Sequence, residues 1–167
     1  MHTAFPHNRW WEGFDMNYDS LLKTADGMQL DVREKPLLAS DGRIYGNRIA
    51  IRKDIPTTTE KACVLAEEIC HYELNVGNIL DQTDPANRRQ EQKARTEAYR
   101  RMIGLQGLVD AFRAGCRNRY EAADYLGVTE QFLEDAVTRF HQIHGARVFC
   151  GQYLICFEPS FAVISLV

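Results

Sequence analysis

The chain has 167 residues, a formal net charge of -3, and a composition that is 45% hydrophobic and 26% charged. That length suits one domain with a substantial core, the mixture is that of an ordinary soluble globular protein, and the charge gives no global attraction to nucleic acid or an anionic membrane. No apolar run approaches the ~20 residues that span a bilayer, so membrane insertion is not expected.

The opening segment from Met1 to Trp11 lacks the basic, apolar and small-residue blocks of a secretory signal, and a cytoplasmic protein is expected. Residues 1–15 read as a leader or arm. Cys63, Cys70, Cys116, Cys150 and Cys156 are odd in number and contain no Cys-x-x-Cys pair, which predicts reduced, mostly buried thiols.

Residues 18–56 read as mostly sheet. Tyr18 to Ala25 is a short helix, Met28 to Val32 alternates apolar and polar side chains like a strand, and Arg43 to Arg52 reads as a hairpin turning at Gly46-Asn47.

Residues 57–145 read as helical. Pro56 closes the sheet region, and Thr57-Thr58-Thr59-Glu60 fits a capping box opening a helix to about Leu74. Ala62, Cys63, Val64, Leu65, Ala66, Ile69 and Cys70 surround that helix with apolar or small side chains, so it should be buried and central. Glu67, Glu68 and His71 are the exceptions. Burying them without partners would cost several kcal/mol, which calls for a cation or a dense hydrogen-bond network.

Their spacing is that of the helical His-Glu-x-x-His motif of zinc peptidases with Glu67 in place of the first histidine. Glu67 and His71 are one turn apart and can reach one ion, and Glu68 keeps the water-activating position. The bland alternative is a solvated helix face with an i,i+4 Glu-His pair.

After a turn-rich connector at residues 81–87, a second helix is expected from about Arg88 to Ile103. Glu91, Ala94, Ala98 and Met102 share one of its faces, and the alanines allow close approach of another helix at which Glu91 would point. Helices near Gly107–Ala114, Tyr120–Tyr125 and Thr129–His141 follow, and residues 146–167 return to strand. Residues 121–129 also mimic a helix-turn-helix, which gives a DNA-binding regulator as a third functional reading. Glu130, Glu134 and Asp135 on its second helix carry the wrong sign for phosphate, so no direct nucleic-acid contact is expected.

The residues Lys61–Tyr72, Val76–Asp81, Glu91-x-x-Ala94-x-x-x-Ala98, Tyr120–Leu133 and Tyr153–Pro159 resemble the ImmA/IrrE family of metallo-endopeptidases, which typically occur beside phage and mobile-element repressors. The resemblance runs from about Tyr18 to the C-terminus. It implies an α+β, zincin-like single domain over 1–167, a small antiparallel sheet packed on a helical bundle with a buried metal-site helix. It also implies limited cleavage of a helix-turn-helix repressor, with Glu68 as general base, His71 as a ligand and Glu91 as the third ligand from the next helix. Two departures stand out: Glu67 replaces the first histidine, and Cys70 occupies a place where glycine is common.

Glu67, His71 and Glu91 are thus the expected metal ligands. Two carboxylates and one neutral imidazole leave a divalent site formally neutral, so bound water would be acidified less than in a two-histidine site. The oxygen-rich set also discriminates less strongly for zinc, which makes manganese or iron credible occupants. A pseudo-peptidase that binds a repressor without cutting it is the alternative.

Overall fold

The computed structural model describes residues 16–74 and 85–166. The expected leader with Trp10 and Trp11, the Val76–Asp81 part of the resemblance, and the expected connector as far as Asp84 lie outside the described residues.

The α+β class expected from the pattern is observed, with helices and two small sheets sharing one core. The first helix, α1 (Tyr18–Gly27), starts where Asn17 accepts the Ser20 N–H at 3.0 Å. It runs further than expected, and the strand after it begins later. The N–H groups of Met28, Gln29 and Leu30 fold back onto carbonyls of the last turn of α1, so β1 (Asp31–Lys35) can start only beyond them.

The hairpin forms as expected from β2 (Gly42–Tyr45) and β3 (Arg48–Arg52), with Gly46 at φ +58° in the turn. The sheet differs from the antiparallel expectation in one pairing. Strand β1 lies parallel to β3, giving the order β1-β3-β2 and leaving β2 on an edge. Ile49 and Ile51 sit on the central strand and are almost fully buried. They need cover that a hairpin alone cannot supply.

That cover is α2 (Thr58–Leu74), which packs on β2, β3 and α1. Thr57 caps it by accepting the Glu60 N–H at 3.1 Å. Leu65, Ala66, Ile69 and Cys70 are wholly buried along it. Each large apolar side chain among them contributes about 1.5–3 kcal/mol by leaving water.

The next helix, α3 (Pro85–Met102), starts three residues before the expected Arg88. Proline at a first helical position gives up an N–H that has no intrahelical partner there. Ala94 and Ala98 are completely buried, and α3 packs against α2 along them. Three helices follow: α4 (Gly104–Arg113), α5 (Arg119–Leu126) and α6 (Glu130–His144). Gly127, at φ +65°, makes the left-handed turn between α5 and α6, and Thr129 caps α6 on the Phe132 N–H.

The tail is an antiparallel sheet of β4 (Arg147–Cys150), β5 (Tyr153–Cys156) and β6 (Ala162–Ser165), in that order. Ile155 and Phe157 join the core that contains Ile49 and Leu65. No helix among the described residues is long and apolar enough to cross a membrane.

Candidate functional site

Three of the four expected site residues lie on α2 and the fourth on α3. His71 is buried, and its Nε2 meets Glu91 Oε2 at 3.1 Å across the α2–α3 interface. The small faces of Ala94 and Ala98 permit that approach. The expectation that Glu91 points at the helix carrying Glu67 and His71, α2, therefore holds in space.

The contact shifts both groups. Burial works against a charged His71, but the hydrogen bond and negative charge of Glu91, with Glu68 and Glu67 behind it, outweigh burial and raise the imidazole above its ordinary value. The same hydrogen bond from His71 holds Glu91 below the usual carboxylate range.

Glu67 is placed differently. Its Oε2 lies 3.7 Å from Arg95 Nε, and the same nitrogen donates to Glu91 Oε1 at 3.0 Å. Arg95 therefore bridges the two carboxylates expected to hold an ion. Burial raises the Glu67 carboxyl above its ordinary range, and the Arg95 charge offsets only part of this. Glu68 turns the other way, toward the sheet. A methyl group on Gly42 of β2 would fall on its carboxylate, so the edge strand leaves a gap that Glu68 fills. Burial pushes its carboxyl up to about 7, with the charges of Glu67 and Glu91 adding to the effect and His71 opposing it.

Two carboxylates and an imidazole suit a divalent cation in kind. In arrangement, His71 and Glu91 meet as a ligand pair would, whereas Glu67 is engaged by a guanidinium. Among the described residues no three His, Cys, Asp or Glu side chains are gathered as a metal-holding cluster. Arg95 stands between Glu67 and Glu91 in this arrangement, in contact with both.

Cys70, His141 and the α5–α6 pair serve packing and pairing within the fold. Cys70 is fully buried on α2 and burial drives its thiol far up, which fits the packing role expected for it. His141 pairs with Glu158 at 2.9 Å and stacks on Phe157, tying α6 to the segment after β5. In the helix-turn-helix-like unit, Arg119 of α5 pairs with Glu130 and Glu134 of α6, and Phe132, Leu133, Ala136 and Phe140 face the core. A concavity beside α1 and β1, lined by Leu22, Asp26, Gln29, Leu30, Asp31 and Val32, includes none of the candidate residues.

Sequence reasoning misses two participants. Arg95 is hidden among the arginines of an apparently ordinary polar face; its i+4 spacing from Glu91 was a signal for their pairing but not for the reach to Glu67. Gly42 lies 26 positions before Glu68 and carries no local signal of that contact.

No curated protein and no solved structure matches the chain. The family model of the IrrE N-terminal-like domain matches residues 25–138, more than half of the chain, and that stretch contains Gly42, α2 and α3. The motif helix α2 lies against the edge strand β2 and against α3, which brings Glu91 to it; the matched stretch spans all three elements, and the chain belongs to the IrrE N-terminal-like peptidase family, a metallopeptidase-type family.

Proposed function

We propose that the protein is a metal-dependent endopeptidase that cuts a helix-turn-helix transcriptional repressor and so derepresses a phage or mobile-element operon. Membership of a metallopeptidase-type family supports the reaction class. The single observation that carries the catalytic reading is Glu68. It is a half-buried carboxyl raised to about 7, next in sequence to Glu67 and one turn from the His71–Glu91 pair.

His71, Glu91 and Glu67 would hold the ion: zinc, with manganese or iron as alternatives. When bound, such an ion supplies Lewis-acid polarisation of the scissile carbonyl and an acidified water. Glu68 takes the proton of the attacking water onto a carboxylate oxygen and returns it to the leaving amine nitrogen. In the metal-free protein burial makes this carboxyl hold a proton more readily than an exposed glutamate, which suits a group that takes a proton up and gives it back. Gly42 keeps that carboxylate where the edge strand passes over α2.

The test is incubation of the zinc-supplemented protein with a helix-turn-helix repressor taken from among its neighbouring genes, read by mass spectrometry of the fragments. Defined fragments are expected from the parent protein and none from Glu68→Gln. A second reading is favoured by Arg95, whose guanidinium already pairs with both Glu67 and Glu91: a pseudo-peptidase that holds the repressor uncut. Stable co-elution with intact repressor, with no zinc bound to the protein purified without chelator, would select it.

A further inference from the structure

We propose that Arg95 is a built-in competitor of the metal ion, so that the site alternates between a guanidinium-paired state and a metal-loaded state that exclude each other. The inference rests on the reading of Glu67, His71 and Glu91 as the ligand set. Arg95 lies one turn beyond Glu91 on α3, and its Nε reaches Glu91 Oε1 at 3.0 Å and Glu67 Oε2 at 3.7 Å. Those carboxylates are the two anionic members of the set. An ion shared by His71 Nε2 and Glu91 Oε2 that also engaged Glu67 at ~2.0–2.2 Å would draw on the Glu67 oxygen that faces the guanidinium and would place a second positive charge against Arg95.

The substitution in the motif and the arginine belong together. A neutral histidine at position 67 would offer a guanidinium no charge to pair with, whereas Glu67 adds a third carboxylate beside Glu68 and Glu91, with His71 alone as an opposing partner on α2. Arg95 supplies the missing positive charge from the neighbouring helix. Its side chain is 53% exposed, so it has room to leave toward solvent when an ion enters. The metal-free fold is then stabilised by the same side chain that lowers metal affinity.

Zinc affinity, measured by competition with a chromogenic chelator, and melting in EDTA test this without reference to cleavage. Arg95→Gln is expected to bind zinc at least tenfold more tightly than the parent and to melt at a lower temperature in EDTA. Arg95→Lys keeps the charge and is expected to stay within about threefold of the parent affinity. Unchanged or weaker zinc binding by Arg95→Gln overturns the proposal, as does absence of zinc binding by both proteins. Tighter binding by Arg95→Gln with no repressor cleavage would defeat the peptidase reading and leave the competition standing. Cleavage by the parent with unaltered affinity in the variant would do the reverse.

Discussion

Gly42 on β2 and Glu68 on α2 share one volume: a Cβ at Gly42 would lie 2.6 Å from Glu68 Oε1 and 2.9 Å from its Cγ, with Val64 Cγ1 at 2.7 Å. These separations are too short for any real contact, so a side chain at position 42 must move the glutamate. The carboxylate is the end of a flexible chain and yields before the helix does.

Gly42→Ala is therefore expected to lower repressor cleavage by about 10- to 100-fold, chiefly in kcat, because small misplacements of a reacting group are costly. Melting should fall by only a few degrees. A collapse of the melting temperature, or a change confined to KM, would show that the glycine serves packing or substrate binding instead.

Glu68 also makes stability depend on pH. Its folded value is raised to about 7, so the native state favours the neutral carboxyl. That contribution is full below the ordinary carboxylate value and is lost as pH rises through about 7. Glu68→Gln should therefore stabilise the EDTA-treated protein by roughly 1–3 kcal/mol at pH 8 and have little effect at pH 4. Urea melts at the two pH values check the sign, and an equal effect at both would remove burial as the cause.

The His71–Glu91 pair works in the complementary sense. The raised imidazole contributes stability below its ordinary value and loses it as pH rises through the folded value. The lowered carboxyl contributes above its ordinary value and loses it as pH falls through the folded one. The pair is thus strongest between about pH 4.5 and 6.5. Glu91→Gln should cost the metal-free protein about 1 kcal/mol at pH 6 and less at pH 9, a modest figure because Glu91 is partly exposed.

Substitutions at the altered motif position should move zinc affinity in opposite directions. Glu67→His builds a two-imidazole site and frees Arg95 from one partner, so affinity should rise tenfold or more. Glu67→Ala removes a ligand and should weaken binding by a similar factor. Zinc titration of both variants decides: if neither differs from the parent, Glu67 is not a ligand.

At the helix pair α5–α6, two of the three acids expected to repel phosphate are paired with Arg119, Glu130 at 3.3 Å and Glu134 at 2.7 Å, while Asp135 accepts from Gln131. No shift of duplex DNA is expected in a gel assay at low salt. A salt-sensitive shift would revive the DNA-binding reading.

The sequence by itself determined what local chemistry controls. Thr57 and Thr129 cap their helices because a side-chain oxygen three residues ahead of an orphan N–H is a local device. Gly46 turns the hairpin because positive φ is a property of one residue. The i,i+4 spacing of Glu67 and His71, and the alanine face that brings Glu91 to His71, follow from helical periodicity alone. Tertiary structure decided the rest. The parallel pairing of β1 with β3 depends on which edge the chain reaches after α1 closes on itself, and no alternation pattern encodes that edge. The engagement of Glu67 by Arg95 depends on how two helices are set against each other. The space left at Gly42 depends on a strand crossing a helix that is distant in sequence. Each of these joins segments whose separation leaves no periodic trace, and between them they control where Glu68, Glu67 and Arg95 stand.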